Sequence, residues 1–259
     1  MRLRFLGTGT SFGVPVVGCR CRVCRSDDPR NRRTRHAVTV EEGDRVLLVD
    51  TPPELRVQLL REGIEDVAAV FMTHLHADHV HGIDDLRVFN LRRRARLPVY
   101  IAREHAGELV ARFRYIFDPA CVAEEGVSRP ELELRTFEDG QPLEVAGFPL
   151  RPLAFPHGAT RAYGFRVGRL GLVVDAKTVP HAAREALRGV DVLVLNALWY
   201  GRPHPTHLNV EEALEVARAI GASRTYLTHL THRLAYDELR ARLPDGVEPA
   251  YDGLVVEIP

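Results

Sequence analysis

One short stretch limits most strongly what this chain can fold into: His-Leu-His-Ala-Asp-His at residues 74–79. It follows an apolar run at 67–72 that is too short for a confident helix assignment and predicts a buried strand. Loops at strand ends usually carry the functional groups of a fold. Imidazole and carboxylate are ligands that zinc, manganese and iron ions share. The stretch therefore predicts a metal site rather than a solvated loop, with the His-x-His pair on one ion and the Asp-His pair on a second. The candidate ligands are His74, His76, Asp78 and His79.

This array resembles the signature of the metallo-β-lactamase-fold hydrolases. The resemblance implies an α/β fold, a four-layer αββα sandwich with a two-metal site at one edge. It also implies three further ligands downstream, each following a strand-like segment. These are His157 for the first ion, Asp175 as the bridging carboxylate, and His229 for the second ion. A carboxylate such as Asp175 is costly to bury unpaired, which makes a metal ion its natural partner.

Asp50 stands at the end of a predicted strand at 45–49 and before a predicted helix at 53–61. Its carboxylate could cap that helix. Alternatively it could accept a hydrogen bond from a ligand histidine and so fix the orientation of the ring. The residues alone leave both roles open, and the family resemblance favours the second.

Four further segments narrow the resemblance. They are the Gly-Thr-Gly-Thr turn at 7–10, a Cys-x-Cys-x-x-Cys insert, Pro-Thr-His-Leu at 205–208, and a His-x-x-His pair that begins at His229. Together with the Asp-His pair of the metal loop, they resemble the phosphodiesterase branch, and in particular the phosphoribosyl 1,2-cyclic phosphate phosphodiesterases of phosphonate degradation.

This branch implies hydrolysis of a small cyclic or nucleotide-like phosphodiester. A hydroxide that bridges two divalent ions, zinc or manganese, about 3.5–4 Å apart would be the nucleophile. The leaving oxygen then needs a proton, and His207 matches the non-ligand active-site histidine of the branch. His204, between two prolines, is the second candidate for that role. Asp78 and His207 are thus the predicted catalytic residues.

The cysteines Cys19, Cys21 and Cys24 have nearly the spacing of a structural zinc site, but a fourth ligand is missing nearby. Unligated thiols are the alternative. A disulfide fits less well, because three is an odd number and Cys121 lies far off in an apolar context that predicts a buried core thiol. The resemblance supplies His232 as the fourth ligand. A closed site of this kind would stabilise the loop 12–35 over the edge that carries the active site.

Two other functions stay open, a tRNA 3′-processing-type ribonuclease and a non-catalytic accessory protein resembling the pyrroloquinoline-quinone carrier. Lys+Arg and Asp+Glu are both 35, so the formal net charge is zero, which argues weakly against a dedicated nucleic-acid binder. Nucleic acid is therefore an unexpected but not excluded partner. The carrier interpretation requires a metal site that has lost some of its ligands, whereas all seven candidate ligands are present. The arginine-rich segments 30–35 and 92–96 could be solvated or could hold an anionic substrate.

The 259 residues, 45% of them hydrophobic, predict one hydrolase domain over residues 1–259 with a zinc-binding loop insert at about 12–35. No apolar run approaches the ~20 residues of a membrane span, so a cytoplasmic enzyme without a membrane partner is expected. A homodimer is compatible with the sequence. His105 is expected to be an ordinary surface residue of a helix at 103–114. Further strands are predicted at 2–6, 36–41, 98–102, 131–136, 143–145, 148–155, 162–167, 170–174, 191–195 and 224–228, and further helical segments from 82 toward 96 and at 208–220.

Overall fold

The computed structural model describes residues 1–121 and 126–259, which form two seven-stranded sheets. The strands are β1 Arg2–Gly7, β2 Ala37–Glu42, β3 Arg45–Val49, β4 Ala69–Phe71, β5 Leu97–Ala102, β6 Leu132–Phe137, β7 Leu143–Val145, β8 Phe148–His157, β9 Thr160–Val167, β10 Leu170–Val173, β11 Val192–Asn196, β12 Arg224–Thr228, β13 Val247–Pro249 and β14 Val255–Glu257. The helices are α1 Leu55–Glu62, α2 Ala77–Val80, α3 Arg87–Arg93, α4 Arg103–Arg112, α5 Arg114–Phe117, α6 His181–Leu187, α7 Val210–Ile220 and α8 Tyr236–Arg242, with 3₁₀ turns at Pro29–Asn31 and Ile83–Leu86.

Each sheet combines parallel and antiparallel pairing. The first has the strand order β14-β1-β2-β3-β4-β5-β6, and the second has the order β13-β12-β11-β10-β9-β8-β7. Strands β3 to β6 run parallel to one another, and so do β10 to β13. Parallel neighbours end at the same edge of a sheet, so the segments that leave β3 and β4 lie at one edge of the first sheet, and those that leave β10 and β12 lie at one edge of the second.

The apolar core lies between the two sheets and contains residues from both. Phe71 of the first sheet stacks on Phe137 with ring centres 5.0 Å apart, and it meets Phe165 of the second sheet edge-on at 5.2 Å. A second apolar cluster packs α6, α7 and α8 on the outer face of the second sheet, and a third packs α1, α3 and α4 on the first. The prediction of a four-layer αββα sandwich is confirmed.

The prediction for His105 is wrong. Its side chain is buried with a 6% exposed fraction, and Nε2 donates a hydrogen bond to the carbonyl of Arg161 at 2.9 Å. The reason is position on the helix, because His105 and the buried Leu109 are four residues apart and share the inward face of α4. The helix itself ends at Arg112, since Phe113 leaves helical geometry before α5 begins.

Cys121 also differs from expectation. It lies in the turn that follows α5, where its N–H donates to the carbonyl of Asp118 at 3.0 Å. The thiol is half-buried rather than part of the core, because this turn lies outside the packed layers. Within residues 1–121 and 126–259, no helix is both long enough and apolar enough to cross a bilayer.

Arginines of both basic segments make contacts within the fold. In the segment 30–35, Arg33 has a 1% exposed fraction, and Arg35 pairs with Glu54 at 2.5 Å. In the segment 92–96, Arg93 pairs with Asp66 at 2.6 Å. These contacts favour a structural role for the arginines that make them.

Candidate metal centre

The predicted ligands lie at one edge of the sandwich because the elements that carry them end there. His157 is the last residue of β8, Asp175 follows β10, and His229 follows β12. The loop after β4 carries His74 and leads into the single-turn helix α2. That helix contributes Asp78 and His79, which are both buried. The main chain thus brings together all the side chains that the motif and the resemblance singled out.

The first group of ligand atoms consists of three imidazoles. The Nδ1 atom of His76 lies 2.9 Å from Nε2 of His74 and 3.0 Å from Nε2 of His157. Asp175 completes this group, because its Oδ2 lies 3.5 Å from Nε2 of His74. His76 is exposed, and the other three are buried, so the group opens to solvent on one side.

The second group consists of Asp78, His79 and His229. Oδ2 of Asp78 lies 3.4 Å from Nε2 of His79 and 3.8 Å from Nε2 of His229. Asp175 also reaches this group, with Oδ2 at 3.3 Å from Nε2 of His79 and Oδ1 at 3.1 Å from Nε2 of His229. One carboxylate therefore contacts the two groups at once.

The unsatisfied atoms of the centre test whether metal ions fit it. Nε2 of His79, Oδ1 of Asp175 and Nε2 of His229 are buried without a hydrogen-bond partner among the described residues. A buried polar atom left without a partner costs roughly 1–3 kcal/mol. Imidazole and carboxylate together suit zinc, manganese or iron, and a divalent ion in each group would satisfy these atoms. The residues present fit a two-ion centre.

The pKa shifts of His74, His157 and Asp175 agree with that fit. Burial holds the pKa of His74 well below its usual value and lowers the pKa of His157 to about 4, so both rings are neutral, as a metal ligand must be. Burial also opposes charge on Asp175, but the nearby His229 and His79 hold the pKa of its carboxyl well below the ordinary range. Burial opposes charge on His79 as well, but Asp78, Asp50 and Asp175 hold the pKa of its ring well above the usual value, so an ion bound there would displace a proton.

Asp50 lies directly behind this centre and does not cap α1, whose N-cap residue is Glu54. Its Oδ2 is 2.7 Å from Nδ1 of His79, and its Oδ1 accepts from the backbone N–H of Thr73 at 2.8 Å. The contact orients His79 with Nε2 toward the other ligands. Thr73 was missed by sequence reasoning, although its Oγ1 also lies 3.0 Å from Nδ1 of His74. A hydroxyl residue directly before the histidine motif was the available signal.

The two candidate histidines of the loop before α7 occupy different places. Nε2 of His207 lies 3.4 Å from Oδ2 of Asp175. His204 instead lies farther out, with its Nδ1 3.3 Å from Nδ1 of His207. The hydroxyl of Thr206, whose contacts the sequence did not predict, lies 2.8 Å from Nδ1 of His207 and 3.1 Å from Nδ1 of His204. His207 is therefore the histidine that reaches the centre.

A separate cluster contains Cys19, Cys21, Cys24 and His232. The three Sγ atoms lie 3.3, 3.5 and 3.6 Å from Nδ1 of His232, in that order. A backbone hydrogen bond from Cys24 lowers the pKa of the Cys21 thiol to about 6, whereas burial raises the pKa of the Cys24 thiol to about 11. Three sulfurs and one imidazole nitrogen that converge in this way fit one tetrahedral zinc ion.

Comparisons with known proteins agree with the fold. The family model of the beta-lactamase superfamily domain matches residues 45–230. An octanoyltransferase of Porphyromonas gingivalis is 35% identical over 98% of this chain, which spans only 51% of that relative's length. A ribonuclease Z of Methanopyrus kandleri is 27% identical, with 99% of this chain and 97% of the relative covered.

Two solved structures are also similar. The crystal structure of a diphosphatase from the PhnP family has a TM-score of 0.90 and 38% identity, with 100% of this chain and 98% of the other covered. Zinc-bound PqqB of Methylobacterium extorquens has a TM-score of 0.81 with full coverage of both chains, but at 18% identity it shows a shared fold alone. The chain belongs to the beta-lactamase superfamily, as a metallo-β-lactamase-fold hydrolase related to the PhnP family.

Proposed function

We propose that this chain is a metal-dependent phosphodiesterase that hydrolyses a small cyclic or nucleotide-like phosphodiester, such as phosphoribosyl 1,2-cyclic phosphate. One observation carries the proposal: two groups of ligand atoms share Asp175, and the imidazole of His207 lies beside that shared carboxylate. The first group supplies three imidazoles, and the second supplies two imidazoles and a carboxylate. This composition suits two zinc or manganese ions and leaves a further ring for proton transfer.

In this proposal every ion has protein ligands from one group together with Asp175. The first ion takes His74, His76 and His157, and the second takes Asp78, His79 and His229. Two divalent ions supply an activated water at neutral pH and neutralise charge on the phosphoryl oxygens. Asp50 and Thr73 hold the rings of His79 and His74 in the ligating orientation through the contacts described above.

The remaining chemical need is a proton for the leaving oxygen, and His207 is placed to supply it. Its Nδ1 atom contacts Thr206 and His204, while Nε2 faces the carboxylate of Asp175. A ring held in this way presents a single nitrogen to a substrate bound at the centre. His207 could also share an ion with Asp175 and His229, because their ligand atoms lie close together. The seven other residues, however, already provide four protein ligands for each ion.

The cysteine cluster has a structural role in the proposal. A closed site of three thiolates and His232 leaves no position for water, so a zinc ion there stabilises rather than catalyses. His232 lies three residues after His229, so the same segment serves both sites. The zinc would hold the loop 12–35 against the segment that carries a ligand of the centre.

A diphosphate is the second candidate substrate, and one observation favours it. The 38% identical solved structure is described as a diphosphatase. Attack at phosphorus and protonation of a leaving oxygen serve an anhydride as well as a diester, so the same residues would act. Ribonuclease activity on precursor tRNA and a non-catalytic carrier role remain the alternatives from the sequence.

A substrate panel tests the proposal. The metal-loaded protein should hydrolyse bis(p-nitrophenyl) phosphate, 2′,3′-cyclic nucleotides and phosphoribosyl 1,2-cyclic phosphate faster than p-nitrophenyl phosphate or a β-lactam. Diphosphates and precursor tRNA complete the panel. Faster turnover of a diphosphate would favour the second candidate, cleavage of tRNA alone would favour the ribonuclease, and inactivity throughout would contradict the proposal.

Variants of the centre add a second test. Asp175→Ala should lower the rate roughly 100- to 1,000-fold with the fold intact, the scale of removing a preorganised electrostatic group. Asp44→Ala, at an exposed turn, is the matched control and should leave the rate unchanged. His207→Ala should lower kcat while both ions stay bound, as metal analysis would report. An unchanged rate on several diesters would remove His207 from the mechanism.

A further inference from the structure

A pocket of about 320 Å³ opens beside the metal centre. Its inner lining includes His207 and His229, and its outer lining includes Phe12, Trp199 and Arg233. This volume lies at the small end of the roughly 300–1,000 Å³ of ligand sites in proteins. The pocket can therefore take one small group that extends from a phosphate bound at the centre.

The two aromatic side chains of the pocket do not serve the core. Phe12 has a 72% exposed fraction, and Trp199 is half-buried. Neither belongs to any of the four apolar clusters found in residues 1–121 and 126–259. A single exposed aromatic residue is unremarkable. Two of them in the lining of a pocket next to a reactive centre form a surface on which a planar ring can stack.

The main chain holds the segment of Phe12 firmly. The backbone of the next residues pairs with Arg33, with Val14 N–H to Arg33 carbonyl at 2.8 Å and the reverse bond at 2.7 Å. The buried guanidinium of Arg33 in turn donates to the carbonyls of Thr231 and Leu234, both at 2.8 Å. The loop that carries Phe12 is thus tied to the segment that carries Arg233.

Trp199 is also held in place. Its Nε1–H donates to the carbonyl of Arg202 at 2.8 Å, and its ring meets His204 edge-on with centres 5.4 Å apart. The guanidinium of Arg233 lies 4.6 Å from the centre of the indole ring. No Asp or Glu is among the described lining residues, so Arg233 gives the pocket a positive charge. Such a pocket suits an uncharged planar ring attached to an anionic phosphate.

We propose that this pocket is a base-binding subsite, so that among the diesters of the proposed function the centre prefers a nucleotide to a sugar phosphate without a base. The nucleobase contacts Trp199 and Phe12 while its phosphate lies near His207. This inference rests on the proposed phosphodiester hydrolysis and narrows its substrate class. A ribosyl phosphate without a base would leave the aromatic surface unused.

Binding can be tested without turnover, because Trp199 is the only tryptophan of the chain. Its fluorescence should be quenched in a saturable way when metal-loaded protein is titrated with adenosine 2′-monophosphate. Ribose 5-phosphate and inorganic phosphate should leave the emission nearly unchanged. Phe12→Ala should weaken the nucleotide binding roughly 5- to 100-fold, the scale of one base–aromatic contact. Equal quenching by the three ligands, or none by the nucleotide, would overturn the proposal.

Kinetics provide the second test, with Phe12→Ala and Trp199→Leu as the variants. Both should raise KM for 2′,3′-cyclic AMP while kcat changes little, and neither should affect phosphoribosyl 1,2-cyclic phosphate. Val17→Ala is the matched control, since Val17 is fully exposed in the same loop and does not line the pocket. If the variants lower kcat/KM for both substrates by the same factor, the subsite is refuted while the phosphodiesterase proposal stands. If wild type hydrolyses no diester, the phosphodiesterase proposal fails, and the fluorescence titration alone decides whether the pocket binds a base.

Discussion

Replacement of Asp50 by asparagine would test how the fold prepares the metal centre. The two oxygens of Asp50 accept from different partners, Nδ1–H of His79 at 2.7 Å and the backbone N–H of Thr73 at 2.8 Å. An asparagine side chain has nearly the same shape but only one accepting oxygen. The backbone of Asp50 has φ 65°, a left-handed conformation that asparagine also tolerates, so Asp50→Asn changes the hydrogen bonds without adding backbone strain.

Either orientation of the new amide disturbs the site. If its oxygen faces Thr73, its NH₂ group faces Nδ1 of His79, and the ring must move its proton to Nε2. That nitrogen is the atom that faces Asp78 and Asp175, and once protonated it cannot bind an ion. If the amide turns round, the buried N–H of Thr73 loses its acceptor. We expect metal affinity to fall about 10- to 100-fold, the usual effect of losing such an orienting contact. This equals roughly 1.4–2.7 kcal/mol of binding free energy.

The measurement is titration calorimetry of manganese or zinc into metal-stripped protein, or competition with a chelator. Asp44→Asn is the matched control, because Asp44 is exposed in the turn between β2 and β3. Thermal melting of the metal-free proteins checks that the variants are folded. An affinity for Asp50→Asn within two-fold of wild type would refute the view that Asp50 orients His79.

Three further predictions concern stability. Cys21→Ser should lose one tightly bound zinc ion per chain and melt at a lower temperature, yet lose less activity than Asp175→Ala; full zinc content by elemental analysis and unchanged melting would contradict the structural site. Burial opposes charge on Glu41, but hydrogen bonds from Arg4, Thr39 and Arg2 keep the pKa of its carboxyl below the ordinary 4.5. Because the pKa of Glu41 is lower in the folded state, its carboxylate stabilises the fold fully above pH 4.5. This stabilisation is lost as the pH falls from 4.5 through the folded-state pKa. Glu41→Gln should therefore lower the free energy of unfolding by about 1.5–3 kcal/mol at pH 7, and denaturant unfolding should show that the difference from wild type shrinks in acid. A difference that does not depend on pH would argue against ionic stabilisation. Gly164→Ala places a Cβ 1.9 Å from the carbonyl of Leu172 and should cost roughly 3 kcal/mol or more, whereas the control Gly107→Ala, on an open helix surface, should stabilise by about 0.5–1 kcal/mol; similar melting of the two variants would contradict the steric reasoning.

Local patterns in the chain predicted much of the fold and the candidate site. Most strands and helices lie within a few residues of their predicted bounds, because hydrophobic periodicity reports which faces are buried. The ligand histidines of the loop after β4 were evident for a related reason, since four ligand-type side chains in six residues form a local signal. The more distant candidates His157, Asp175 and His229 depended on the family resemblance, and the structure places them beside that loop.

Other features depend on contacts between distant segments, which no local pattern reveals. The partner of the buried His105 is one example, because a carbonyl of β9 accepts its Nε2–H and that strand begins more than fifty residues later. Asp252 is a clearer case, since its carboxylate accepts from both the backbone and the hydroxyl of Thr8 and of Thr34 near the start of the chain. Two of these bonds fasten the turn after β1 to the C-terminal loop, and two fasten the segment before β2, and nothing in the sequence around Asp252 indicates them.

The sequence by itself determined the chemistry of the centre, because the types of side chain and the strand ends that carry them are local properties. It also indicated both His204 and His207 for the loop before α7. Only the tertiary structure decided that His207 is the one beside Asp175, and that Phe12 and Trp199, nearly two hundred residues apart, line one pocket. The physical reason is that packing the two sheets sets distances between distant segments, and these distances depend on the whole core rather than on neighbours in the chain.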